Sequence, residues 1–110
     1  MKTLKFAPDL CAQILAGTKT STWRLFDDKN LMGGDRLDLI NKETGESFGV
    51  GEITHVYTKT IGSLEEDDWR GHERFASEAV MLATYRGYYG DRVDLDTLVK
   101  IIQFTFIPNV

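Results

Sequence analysis

The stretch "AGTKTSTWRLF", residues 16–26, sets Lys19, a run of hydroxyls, Trp23 and Arg24 between a glycine and an apolar pair. Lys19 and Thr22 stand three apart, with Arg24 two further on. A hydroxyl is a poor nucleophile until a base lies within hydrogen-bond reach. A lysine serves as that base only once its pKa falls, which burial beside a second cation such as Arg24 promotes through desolvation and like charge. Threonine–lysine and serine–lysine pairs solve the same problem as the histidine triad. In a strict strand Thr20, Thr22 and Arg24 share one face and Lys19 looks the other way. Lys19 therefore joins Thr22 only if it still belongs to the turn after Gly17. Helix ends need a residue or two to change direction, so we expect that it does. On these residues alone, a solvated lysine beside a strand-forming threonine is the plainer reading.

Other chemistry-bearing residues are weaker candidates. The run Glu65 to Asp68 suits the first turn of a helix, where acids complement the macrodipole, better than a metal site. Arg70 and Arg74 follow it, and no histidine stands at ligand spacing. His55 and His72 each titrate near neutrality when unperturbed, yet a lone histidine is more often structural or solvated than catalytic. Tyr85, Tyr88 and Tyr89 at helical spacing read as core before they read as a stacking platform. Cys11 falls on an apolar helix face and reads as an inert core thiol.

The elements that must position these groups follow from period and punctuation. "LKF" at 4–6 reads as a strand. Pro8 opens a helix carrying Leu10, Cys11, Ile14 and Leu15, and Gly17 ends it. "TSTWRLF" is rich in β-branched and aromatic residues and reads as a second strand. "DDKNLMGGD" is a loop. "RLDLI" and "SFGVGEITHVYTK" form a hairpin about Gly45, with Gly49 and Gly51 marking a bulge or bend. Ser63 and Glu66 suggest a capping box that opens a helix running to about Glu73. A further helix spans roughly 77–86, burying Val80, Met81 and Tyr85, with Gly87 near its end. In "LVKIIQFTFI" strict alternation places Val99, Ile101, Gln103, Thr105 and Ile107 on one face. About five strands with helices near each end predict an α+β fold, a small, mainly antiparallel β-barrel with flanking helices.

Composition bounds the rest. The 110 residues are most economically one domain, 1–110, with an apolar share of 42% that allows a core without staples. One cysteine forms no intramolecular disulfide. No run is long enough for a bilayer and the start lacks a signal-peptide layout, so the cytoplasm is the expected location. Residues 1–60 balance eight basic against eight acidic side chains, while residues 61–110 hold five against nine, the source of the net −4. A protein that grips long duplexes shows a basic surplus. A small substrate, or a short local contact with single-stranded RNA, fits this charge better.

"GTKTSTWR" resembles the G-x-K-x-x-[TE]-x-R signature of ASCH-domain proteins, small PUA-like β-barrels associated with RNA. Gly17, Lys19, Thr22 and Arg24 match it, and Gly34-Asp35 before "RLDLI" is similar to the family's Gly-Asp turn entering a barrel strand. Within that family the chain is most similar to small bacterial amidohydrolases that deacetylate N4-acetylcytidine. The resemblance implies a catalytic Lys19, Thr22 and Glu73, the last aligned through the helix ending at Tyr89-Gly90. It implies Arg24, Trp23, Ser21 and Tyr89 around the substrate, with neither metal nor cofactor. Ser21 and Trp23 replace residues that are commonly aliphatic there. In that reading Lys19 is the base, Thr22 the nucleophile, and Glu73 orients the lysine loosely or protonates the departing amine. Arg24 holds a carbonyl or phosphate or braces Glu73. The alternative is a non-catalytic RNA-binding module, or an RNA-cleaving variant, with Lys19 and Arg24 on phosphates and Trp23 or a tyrosine stacked on a base.

Overall fold

The computed structural model describes residues 1–27 and 29–108; Asp28, inside the expected loop, lies outside them. In chain order the elements are β1 (Lys2–Phe6), α1 (Pro8–Ala16), β2 (Ser21–Leu25), β3 (Arg36–Asn41), β4 (Ser47–Thr60), α2 (Glu78–Tyr89) and β5 (Leu98–Pro108). The strands form one sheet in the order β1-β3-β4-β5-β2, antiparallel except for the β1–β3 pair. The sheet curls into a half-barrel with two helices, an α+β architecture. Its two edges, β1 and β2, are bridged by a side chain: Arg24 Nη2 donates to the Lys5 carbonyl at 3.0 Å, and the guanidinium lies 4.9 Å from the centre of the Phe6 ring. Among the described residues no helix is long and apolar enough to cross a membrane.

Two apolar clusters explain the curl. Leu4, Phe6, Leu37, Leu39, Ile53, Ile102 and Phe104 pack with Cys11 and Ile14 of α1. Trp23, Leu25, Val99 and Ile101 pack with Met81 and Tyr85 of α2. Strand β5 thus buries adjacent residues, Ile101 and Ile102, in different clusters. The alternation expected along it breaks there. Its partner β4 carries a register shift between Ile53 and His55, and a bulge increases local twist. Beyond the break Thr105 and Ile107 are exposed, contrary to a single buried face. A second shift, where Ser47 and Gly49 pair with Ile40 and Leu39, falls beside the expected glycine bend. At Gly49 a Cβ would stand 2.3 Å from the Phe106 ring, so the strands close there only around a glycine.

The helix expected from Ser63 to Glu73 is absent. Two 3-10 turns, Ile61–Ser63 and Glu66–Trp69, stand in its place. The capping box belongs to Glu65 and Asp68, not Ser63 and Glu66. The reason is tertiary. Asp68 is buried and accepts from Tyr57 Oη (2.9 Å), Lys59 Nζ (2.8 Å) and the Glu65 amide (2.8 Å), pinning the segment to β4. Burial and then the Asp68 hydrogen bond push the Tyr57 phenol up to about 12, so it stays a donor. Helix α2 runs three residues further than expected. Ser77 caps it, accepting from the Val80 amide at 3.2 Å, and Gly87 lies inside it. Val80 is exposed; Leu82 packs toward the core instead.

Gly71 attaches the loop that carries Glu73 to the start of β2. Its carbonyl accepts from the amides of Thr20 (2.8 Å) and Ser21 (3.1 Å). With φ at +72° and Thr20 Oγ1 only 2.0 Å from the place a Cβ would take, no other residue fits. Gly71→Ala is therefore expected to destabilise the fold by about 2–4 kcal/mol, from left-handed backbone strain plus overpacking. Urea denaturation measures this, and a loss below about 0.5 kcal/mol contradicts it.

Candidate active site

Lys19 does stay in the turn after α1. Its amide donates to the Gln13 carbonyl at 3.2 Å, just beyond the Gly17 cap. The side chain is 1% exposed, among the most buried in the protein. An unpaired buried ammonium is costly, so it needs partners. Two are present: Nζ donates to the Ser21 carbonyl at 2.7 Å and to Glu73 Oε1 at 2.5 Å. The contact with Glu73 is tight, not the loose orientation expected. No hydrogen bond links Lys19 to the Thr22 hydroxyl among the described residues, and one N–H direction of the ammonium is left over.

Strand alternation sends Trp23 and Leu25 into the α2 cluster and turns Thr22 and Arg24 the other way. There a cleft of about 580 Å³ opens, lined by Thr22, Trp23, Arg24, His72, Glu73 and Tyr89 among others. Its size lies in the range of small-molecule sites. Glu73, with 24% of its side chain exposed, is the member of the ion pair that reaches the cleft. Ser21 does not line it. Its side chain is fully buried with an unpartnered hydroxyl, because it alternates with Thr22 away from the cleft. Trp23 borders the cleft, but its rings are occupied. His72 stacks on it at 3.9 Å and Trp69 lies 4.5 Å away, leaving no face for a base. Arg24 bridges to β1 and makes no hydrogen bond to Glu73 among the described residues; the two groups interact through charge.

Burial drives the Lys19 pKa below the ordinary lysine value against the opposing pull of Glu73, with a small further push from Arg24. At Glu73 burial raises the carboxyl, but His72 and Lys19 outweigh it and leave it below the usual value. Since His72 is uncharged at neutral pH, the Lys19 ammonium is the cation that holds it there. Burial, then Lys19, pushes the His72 imidazole down to about 4. Its Nδ1 lies 2.7 Å from the Glu73 carbonyl and 3.4 Å from Glu73 Oε1, which fixes the carboxylate's base. From the sequence alone His72 reads as structural or solvated. Only its adjacency to Glu73 hinted at this position. Lys5, Asp9, Gln13 and Lys42 also line the cleft and carried no local signal.

A neutral buried histidine has a pH consequence. Above about pH 6.5 neither the folded nor the unfolded form carries the proton. Below it the unfolded chain takes up a proton that the folded one refuses until about pH 4, so stability falls across that window. The loss amounts to about 3 kcal/mol. His72→Gln is expected to flatten the slope of unfolding free energy between pH 6.5 and 4.5; an unchanged slope contradicts a neutral His72.

The run Glu65–Asp68 gathers no metal site: among the described residues no three His, Cys, Asp or Glu side chains cluster to hold an ion. Glu66 pairs with Arg74 and Asp67 with Arg70 at the surface. Cys11 is buried beside the Phe6 carbonyl, and burial raises its pKa, as an inert thiol requires.

A curled five-stranded sheet with helices over its ends and a cleft against one edge strand is an ASCH-like α+β fold. The chain is similar to the ASCH domain from Lactobacillus crispatus, with TM-score 0.75 and 20% identity over 98% of this chain and 80% of that one. It is similar to a DUF984 protein of Enterococcus faecalis, with TM-score 0.76 and 12% identity over 91% and 71% of the two chains. It also resembles the ASCH protein from Zymomonas mobilis, with TM-score 0.65 and 15% identity, covering 94% of this chain and 65% of that one. No family model and no curated protein matches the sequence. At these identities the likeness defines the fold.

Proposed function

We propose that the protein is an amidohydrolase that deacetylates N4-acetylcytidine or a related acylated nucleoside, with Lys19, Thr22 and Glu73 as its working groups. One observation carries this reading. A lysine held out of water is paired to a carboxylate that opens, together with a threonine, into one cleft.

In the resting pair a proton lies between Lys19 and Glu73. Its transfer to Glu73 frees the lysine lone pair and removes both buried charges. Rotation about the Lys19 Cε–Nζ bond turns that lone pair from Glu73 toward the Thr22 hydroxyl, into the direction that Ser21 and Glu73 leave over. Lys19 takes the hydroxyl proton as the threonine oxygen attacks the acetyl carbonyl carbon. Glu73 then gives its proton to the departing N4 amine as the C–N bond breaks. The products are cytidine and an acetyl-Thr22 ester, with the ammonium and carboxylate restored. Water attacks the ester and yields its proton to Glu73. Lys19 returns a proton to the threonine oxygen, and acetic acid leaves.

Purified protein incubated with N4-acetylcytidine is expected to release equimolar cytidine and acetate, followed by chromatography. A wild-type protein that leaves the amide intact removes the proposal. The RNA-binding alternative loses two of its assigned contacts, since Lys19 and Trp23 are buried, and keeps Arg24 and the tyrosines that line the cleft.

A further inference from the structure

A second hollow of about 280 Å³ meets the main cleft along Lys5, Arg24 and Tyr89, which line both. It lies where β1 and β2 fail to pair, and Leu4, Leu25, Phe26, Asp27 and Lys29 complete it. Its charge runs against that of the whole chain, which is −4. The Lys5 ammonium has no hydrogen-bond or ion-pair partner among the described residues. Among the described residues Lys29 Nζ spends one donor, on the Thr3 carbonyl at 2.5 Å. Arg24 Nε is buried without a partner, although the same guanidinium bridges to β1. The single acid among the described lining residues, Asp27, is engaged by Lys100 at 3.2 Å. Three cations thus line a small hollow with donors to spare, against one carboxylate among the described lining residues, which is shared with Lys100.

Phe26 shapes its rim. It is half-exposed and holds φ at +52°, a strained backbone for a bulky side chain. Arg92 lies 3.7 Å over its ring, and Tyr89 packs edge-on at 5.9 Å. An aromatic rim beside cations suits a group that joins a planar ring to an anion.

We propose that this second hollow is a phosphate subsite, so that the substrate is a nucleotide unit, not a free nucleoside, with its phosphate held by Lys5, Arg24 and Lys29. The inference rests on the nucleoside-acting reading above, because it assigns the base and sugar to the larger cleft. Charged donors in a fork of this kind bind phosphate oxygens more strongly than neutral ones do. The phosphate is either a terminal monoester or a diester within a short strand.

Unreactive ligands test this apart from catalysis. Cytidine, cytidine 5′-monophosphate and a trinucleotide with a central cytidine and no terminal phosphate are titrated against the full chain by calorimetry at low salt. The expected result is at least tenfold tighter binding of the monophosphate, the trinucleotide, or both, than of cytidine. A preference confined to the monophosphate assigns a monoester, and one confined to the trinucleotide a diester. In Lys29→Ala and Lys5→Ala the preference is expected to fall toward unity. In Arg36→Ala, which removes a cation outside both hollows, it is expected to persist. Equal affinity for all three ligands, no binding of any, or a preference untouched by both lysine variants overturns the subsite. Deacetylation without phosphate preference removes the subsite alone; phosphate preference without deacetylation supports it and removes the catalytic reading.

Discussion

Thr22→Ala is expected to lower kcat/KM for N4-acetylcytidine by at least about 10²-fold while leaving the fold intact. The hydroxyl makes no hydrogen bond to the described residues, so its loss orphans no structural partner. The strand around it is held by backbone pairing of Thr22 with Ile102 and by Trp23 and Leu25 in the core. Removing a small buried side chain's outer atoms costs about 1 kcal/mol of stability, too little to account for a hundredfold loss. Thr22→Ser keeps the nucleophile and is expected to retain a measurable fraction of activity. Glu73→Gln, close in shape but unable to carry the proton, is expected to fall mainly in kcat. A Thr22→Ala protein as active as wild type would leave no role for the hydroxyl and would end the covalent mechanism.

The second large effect concerns stability. Lys19→Met is expected to cost about 3 kcal/mol, near the lower end for breaking a buried ion pair. Glu73 then loses its principal cation, though its partial exposure lets water relieve some of the penalty. Adding Glu73→Gln removes the stranded carboxylate, so the double variant is expected to be more stable than the sum of the single losses by about 1–2 kcal/mol. Urea denaturation of the four proteins at pH 7 closes the cycle. Additive losses, or a Lys19→Met protein within 0.5 kcal/mol of wild type, contradict a coupled buried pair. The same cycle read in activity separates chemistry from folding: the double variant recovers stability and stays inactive.

The local signals account for much of the framework. Pro8 and Gly17 bracket α1, the apolar and β-branched runs become strands, and Gly45 turns the hairpin. These are short-range effects of dihedral preference and period, which a neighbouring residue or two can specify. The same holds for Lys19 standing in the turn after α1 and for Thr22 and Arg24 sharing a strand face. Where long-range contacts intervene, the local reading failed. Asp68 leaves the pattern of a solvated helix turn because Tyr57 and Lys59 draw it inward. The alternation of β5 breaks because β4 bulges opposite it.

By itself the chain's order of residues determined which groups could do chemistry and the α+β class of the fold that carries them. Only the tertiary structure decided how they meet. Glu73 lies fifty-four residues from Lys19, and the contact exists because the Gly71 carbonyl ties its loop to the start of β2. Burial of Lys19, neutrality of His72 and the covered faces of Trp23 are equally tertiary facts. A pKa or an occupied ring face is set by everything packed around a group, and that surrounding comes from distant segments of the chain.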